Sequence, residues 1–333
     1  MRLAEIYQRL KQDISGHAFI AEPISRDENI YLAADFGGRP ALFITASEEP
    51  VGPPLRTSQI SLRPAEPYVL TLYDGTRRHE TFHALFCEVK EGPDVVTFLT
   101  LLEAFLGGRE DTGSPTYAQL TDFFRSLIRL FAIRPVSNLK LERQGMWGEL
   151  FMMSRVRGFR FWAPFWHNPV TQLFDYSTSG RRVEVKTTLG PGRIHHFSHR
   201  QIFALDNEQI MVVSLVLTED EAGLSLADLI AECRVALSGT YYQLKLEAAA
   251  RQAGMEGGLD VGPRFDARAA DAGLSWYRSS ELPHFRLSEP LGVSETSYKV
   301  DVALATPLER LEVEKWLDNW PSGELVEALV ETK

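Results

Sequence analysis

The sequence has two cysteines in 333 residues, Cys87 and Cys233, far apart and without a second Cys or a His at ligand spacing. That excludes a disulfide framework and argues against a cysteine-based zinc site. No apolar run approaches the roughly 18–20 residues that span a bilayer. The opening stretch MRLAEIYQRLKQDI reads as an amphipathic helix of mixed charge, without the apolar core of a signal peptide. A cytoplasmic setting with no membrane partner is the expectation. There is no internal repeat and no low-complexity tract. A nucleotide-binding P-loop, a GxSxG elbow, a GxGxxG fingerprint and an HExxH pattern are all missing. ATPase, elbow-hydrolase, dehydrogenase and zinc-protease readings therefore have no support.

What is present has the balance of a soluble globular protein, 44% hydrophobic and 24% charged. The length allows two or three packed units of about 100–150 residues. A formal charge of −10 does not suit an autonomous nucleic-acid binder. Charge location matters more than its sum, however. Between Leu141 and Phe203 nine Lys/Arg face four Asp/Glu, a local charge of +5 that leaves −15 for the rest of the chain. Four of the eight histidines lie in the same stretch. Such a basic island is what a phosphate-binding surface needs, although a solvated face would look similar.

The first 15 residues predict a helix. From Ala18 to Lys90 short β-like runs (HAFIAE, IYLAADF, ALFITAS, SQISLR, YVLTLYD, ETFHALFCEVK) alternate with turn clusters, as in a meandering antiparallel sheet. Helices are predicted over Asp94–Leu106 and Tyr117–Ala132, and Ile133–Val136 makes a boundary. A helix over Leu139–Val156 comes next, with Ser137 as cap. The aromatic RFWAPFWH is predicted as a strand, and short strands flank Ser177–Gly180. Ser198–Leu205 is predicted as a short helix and Gln209–Leu217 as a buried strand. Two more helices (Leu226–Leu237, Tyr241–Ala253), a Gly/Asp-rich linker (254–273), strand-like SWYRSS and SYKVDVAL, and a helix over Pro307–Leu317 complete the chain. The expected organisation is a β-rich region with two helices (1–134), a central core (135–222) and a mixed C-terminal region (223–333), α/β in the centre and α+β overall.

The chemistry concentrates in FDYSTSGRRVEVKTTLG, residues 174–190. In a strand, Glu184 and Lys186 share one face while Val183 and Val185 point into the core. Ser177, Thr178, Ser179 and Gly180 supply the turn that folds the preceding strand back. Asp175 then sits beside Glu184. Two carboxylates with the Val185 carbonyl suit Mg²⁺, with Mn²⁺ as substitute. Such an ion lowers the pKa of a bound water and neutralises charge building on a phosphate. Lys186 among carboxylates is expected to stay protonated, an electrostatic stabiliser rather than a base.

Asp175, a hairpin, Glu184-Val185-Lys186 and a following helix resemble the PD-(D/E)xK nuclease superfamily, which includes many restriction endonucleases. Phe174 stands where that motif has proline. The resemblance implies a restriction-endonuclease-like α-β-β-β-α-β core with an acidic residue on its first helix, a position that Glu149 matches. GELF…FDYS…RRVEVKTT…FSHRQI also looks like uncharacterised bacterial PD-(D/E)xK-motif proteins of phage-defence and restriction loci. By that resemblance the chain would be a Mg²⁺-dependent DNA endonuclease of a restriction or defence system. Asp175, Glu184, the Val185 carbonyl and Glu149 would hold metal and Lys186 would position the water. Its partners would be double-stranded DNA, proteins of the defence system and, as one option, a second copy of the chain. On the helix after the strand, His199, Arg200 and Gln201 are candidates to face the phosphate backbone, together with His196 and Arg193. A catalytically silent scaffold and a nuclease acting on RNA or branched DNA are the rival readings.

Each signal has a plainer counterpart. Glu88-Val89-Lys90 is a second EVK without an upstream Asp, expected to be an ordinary amphipathic strand. His195, His196 and His199 are more simply exposed or phosphate-contacting than zinc-binding, Arg181 and Arg182 more simply exposed at a hairpin tip. Trp147, Phe161, Trp162, Phe165 and Trp166 are more simply core than base-stacking platforms.

Overall fold

A computed structural model describes residues 3–13, 18–25, 28–47, 51–107, 113–132, 138–167, 173–205, 208–255 and 262–321. The chain is α+β and divides into two compact units, Met1–Arg134 with Ser238–Arg251, and Pro135–Leu237 with Gln252–Lys333. The expected cap Ser137 and the boundary Ile133–Val136 lie outside the described residues. No described helix is long and apolar enough to cross a membrane.

The first unit opens with α1 (Leu3–Gln12), then β1 (Phe19–Pro23), β2 (Ile30–Asp35), β3 (Pro40–Thr45), β4 (Leu55–Arg56), β5 (Ile60–Leu72) and β6 (Arg77–Cys87). The strands run in the order β1-β2-β3-β6-β5-β4, antiparallel throughout except that β1 also pairs parallel with β5. That extra pairing joins the sheet back on itself and goes beyond the expected meander. SQISLR and YVLTLYD belong to one strand, β5, because a register shift between Arg63 and Glu66 absorbs the irregularity instead of ending the ladder. One face collects Tyr31, Ala33, Ala41, Phe43, Phe82, Ala84 and Phe86. The other packs on α1, α2 (Pro93–Gly107) and α3 (Tyr117–Ala132) through Ile6, Leu10, Leu32, Leu42, Phe98 and Phe124.

The second unit starts with α4 (Leu139–Arg155), whose N-cap is Asn138, its side chain accepting from the Leu141 amide at 3.4 Å. RFWAPFWH is not a strand: α5 (Phe159–Trp162) and a turn occupy it. From this turn Trp162 is fully buried against Tyr176, Trp276 and Trp320, packing that outweighs the local β-propensity of the run. Next come β7 (Tyr176–Ser177), β8 (Arg181–Thr188), β9 (Ile194–Ser198), α6 (His199–Ile202) and β10 (Gln209–Val216). The order helix-strand-strand-strand-helix-strand is therefore present, with β9 in place of the aromatic run as one of its strands. After β11 (Glu219–Ser225) and α7 (Leu226–Ala236), the chain returns to the first unit as α8 (Gln243–Gln252).

The 254–273 stretch is not a bare linker, since its described part forms β12 (Arg264–Phe265) and α9 (Ala267–Gly273), the latter capped by Asp266. β13 (Ser275–Arg278), β14 (Ser297–Asp301) and α10 (Arg310–Leu317) complete the unit's elements. The central sheet has the order β13-β10-β8-β7, with β8 and β10 parallel, while β9 pairs with β14 in a separate ribbon.

Candidate metal and nuclease site

β8 is a buried strand whose alternation places Val183 in the core and Glu184 and Lys186 together on the opposite face. The turn residues before it bring β7 alongside, with Tyr176 opposite Val183. Asp175 therefore arrives next to Glu184, and its Oδ2 accepts the Val185 amide at 2.6 Å. Helix α4 lies against β8 at unusually close range. A Cβ on Gly148 would fall 2.3 Å from Thr187 Cγ2. Gln144 on the same face donates to Thr187 Oγ1 at 3.0 Å. The next residue, Glu149, is brought over the sheet by this approach, and its backbone carbonyl accepts from the Tyr176 hydroxyl at 3.0 Å.

The carboxylates are crowded, and those of Glu184 and Glu149 are nearly dry while Asp175 is partly exposed. Glu184 is 3% exposed and Glu149 9%. Burial, then the charges of Glu184 and Glu149, push the Asp175 carboxyl well above the usual range. Burial likewise raises Glu184, against the opposing pull of Lys186. The Lys186 Nζ sits 2.6 Å from Glu184 Oε1 and 5.3 Å from the Phe197 ring centroid. Burial alone would lower its pKa, but the charge and hydrogen bond of Glu184 outweigh that, so Lys186 stays protonated. Gln201 Nε2 also donates to Glu184 Oε1, at 2.7 Å, and to the Leu173 carbonyl at 3.1 Å. Its own Oε1 accepts from the Ser198 amide, the capping-box bond that starts α6. The other Glu184 oxygen, Oε2, is buried without a well-formed hydrogen bond among the described residues, although the Asp175 amide acts on the same carboxylate. A buried orphan acceptor near two further acidic groups has the chemistry that a bound cation or water can satisfy.

Sequence reasoning missed two residues here. Trp166 Nε1 donates to Glu149 Oε2 at 2.6 Å, and His167 Nε2 meets the same oxygen at 2.7 Å. Ligand atoms of Glu149, His167 and Asp175 all lie within 4.8 Å of one another, close enough to hold one metal ion. The aromatic run hid both residues. A strand over RFWAPFWH gives no reason for His167 to turn toward the helix before it. The signal lay in a polar histidine closing an apolar run eight residues before Asp175.

The other candidates disperse. His196 and Arg200 are exposed on β9 and α6. His199 is buried, with Nδ1 3.1 Å from the Tyr298 hydroxyl, and stacks on Phe203. Arg193 is spent internally, on Ser214 and on the Gly273 carbonyl. His195 is buried against Ser214 Oγ at 2.7 Å, so the histidines are not one exposed cluster. Nor are the two hairpin arginines free in solvent. Arg182 is 7% exposed and pairs with Glu208 at 3.1 Å, while Arg181 stacks on Trp316 and donates to its carbonyl. Much of the basic island thus satisfies backbone carbonyls, because guanidinium groups at element ends meet acceptors that the ladders leave open. Glu88-Val89-Lys90 falls just past the end of β6, and Glu88 is tied to Arg39 at 2.7 Å. Trp147, Trp162, Phe165 and Trp166 are core, and Phe161 is half-buried.

Neither the curated proteins nor the solved structures give a match to the chain. A family model described as “Putative PD-(D/E)XK family member, (DUF4420)” matches residues 3–303, nearly the whole chain. The family is nuclease-like, and families of this motif generally use divalent metals. The chain belongs to the DUF4420 family of PD-(D/E)XK members.

Proposed function

We propose that the second unit is a metal-dependent nuclease that hydrolyses phosphodiester bonds of double-stranded DNA. The supporting observation is Asp175 beside the buried Glu184 and Glu149, with a protonated Lys186 at 2.6 Å from Glu184 and an unpartnered Glu184 oxygen. Three acidic side chains crowded together, two of them buried, repel one another, and a divalent cation relieves that repulsion. Asp175, Glu184, the Val185 carbonyl and Glu149 would hold it. When bound, the ion supplies Lewis-acid stabilisation of the scissile phosphate and activates water.

The chain's own residues do the rest. Gln201 fixes one oxygen of Glu184, which leaves the other to the cation. The Val185 amide fixes Asp175, and Trp166 fixes Glu149. Lys186, kept charged by Glu184, orients the attacking water and stabilises negative charge on the phosphoryl oxygens. His196 and Arg200, exposed beside the site's strand and helix, are available to the DNA backbone. With an acidic remainder of the chain, recruitment falls to partner proteins, as in a restriction or defence system.

Incubating the full chain with supercoiled plasmid and Mg²⁺ or Mn²⁺, beside Asp175→Ala and Lys186→Ala, tests the reading. Cleavage is expected from the unaltered chain alone and to stop on chelation. Equal cleavage by all three proteins would refute it. RNA and branched DNA in parallel reactions show whether duplex DNA is the preferred substrate.

A further inference from the structure

We infer that His167 is a nitrogen ligand of the ion in this site, giving it a preference for a first-row transition dication such as Mn²⁺ over Mg²⁺, an assignment that rests on the metal-site reading of the proposed function. The imidazole Nε2 is 2.7 Å from Glu149 Oε2, and a ring nitrogen of His167 and carboxylate oxygens of Glu149 and Asp175 lie within 4.8 Å of one another.

The backbone holds it there. The His167 amide donates to the Asp175 carbonyl at 2.9 Å, and Trp166 forms a bridge with Tyr176 immediately before it. His167 itself takes φ of +44°, a left-handed conformation uncommon for a residue with a side chain. The aromatic run thus ends in a turn that aims the histidine back at α4 instead of continuing along the sheet. Glu184 is an independent pointer to a cation, since its buried Oε2 lacks a well-formed hydrogen bond among the described residues.

The ligand chemistry then decides the ion. Mg²⁺ is bound through oxygen and keeps most of its waters. An imidazole nitrogen adds affinity for transition dications and little for Mg²⁺, so a mixed nitrogen–oxygen set discriminates between them. A histidine that merely hydrogen-bonds Glu149 would support both ions equally.

Titrating the full chain with Mn²⁺ and with Mg²⁺, by calorimetry or by the paramagnetic resonance of free Mn²⁺, separates these roles. Mn²⁺ is expected to bind more tightly than Mg²⁺ in the unaltered chain. His167→Ala and His167→Gln are expected to weaken Mn²⁺ by about 10–100-fold, the usual scale for disturbing a metal shell, and Mg²⁺ by no more than about twofold. His167→Gln keeps a hydrogen-bonding side chain beside Glu149, so it carries the comparison if His167→Ala does not fold. Unchanged Mn²⁺ affinity in His167→Gln, or an equal loss for both ions, would overturn the inference while leaving the metal site intact. If the unaltered chain binds neither ion, the metal-site reading fails as well.

Discussion

Glu88 opens one Glu-Val-Lys triplet and Glu184 the other, and the cation that meets each carboxylate comes from a different place. Glu88 lies just past β6, with Oε2 on Arg39 at 2.7 Å and Oε1 on the Ser61 hydroxyl at 2.7 Å. Arg39 also pairs with the buried Asp35 at 2.6 Å, and Lys90 is exposed. Both Glu88 oxygens are satisfied, one by Arg39 from the β2–β3 turn and one by Ser61 from β5. Glu184 meets its own triplet's Lys186 and Gln201 on one oxygen and has no well-formed hydrogen bond among the described residues for the other. Two further acidic side chains, Asp175 and Glu149, crowd the same space. Identical tripeptides therefore give a closed ion network in one unit and an acidic group with an unpaired oxygen in the other. What distinguishes them is which polar atoms remain unpaired, a property of the fold and not of the triplet.

The largest consequence of that contrast concerns Glu149. Glu149→Gln keeps the side chain's shape beside Trp166 but removes its charge. Plasmid cleavage is expected to fall by about 10²–10³-fold, the scale of losing one preorganised electrostatic group. Unchanged single-turnover rates would mean that Glu149 is no more functional than Glu88.

A second effect reads the burial of ionisable groups in the second unit alone. Burial first, then the charges of Lys186 and Arg193, push His195 down to about 4, against a weaker opposing pull from Asp301. The unfolded value is near 6.5. With the folded pKa depressed, the stabilisation is complete above about pH 6.5 and is lost as pH falls toward about 4. The unit is expected to lose on the order of 3 kcal/mol across that window. Denaturant melts of His195→Asn should show a flatter dependence there, and an unaltered slope would show that His195 does not carry it.

Gly148→Ala probes how α4 delivers Glu149. Its new methyl would meet Thr187 Cγ2 at 2.3 Å, so helix and strand must part. A stability loss of about 1–3 kcal/mol and a cleavage loss of about 10–100-fold are expected together. Normal cleavage despite a lower melting temperature would detach the close approach from function. The smallest effect belongs to the first unit. Glu88→Ala removes a partner of Arg39 and Ser61 and should cost about 1–2 kcal/mol in thermal melts while leaving the cleavage rate unchanged.

Much of this site was legible in the sequence because its elements are local. Strand alternation fixed the common face of Glu184 and Lys186, and turn chemistry brought Asp175 across. The illegible parts depend on contacts between distant segments. The pairing of β9 with β14 joins Phe197 to Tyr298, and no local pattern announces it. Arg182 looked solvated at a hairpin tip until Glu208 met it from the approach to β10. His167 was hidden because β-propensity in RFWAPFWH is real, yet ring packing around Trp162 overrides it. In the first unit the strand runs were readable, but the parallel β1–β5 pairing that joins the sheet back on itself was not.

The most direct test changes the same residue in the two triplets, Lys186→Met and Lys90→Met, and measures single-turnover cleavage of plasmid DNA with Mn²⁺ or Mg²⁺. A loss of at least about 10²-fold is predicted for Lys186→Met, and an unchanged rate for Lys90→Met. Equal rates in the two variants would contradict the role assigned to Lys186 and with it the nuclease site.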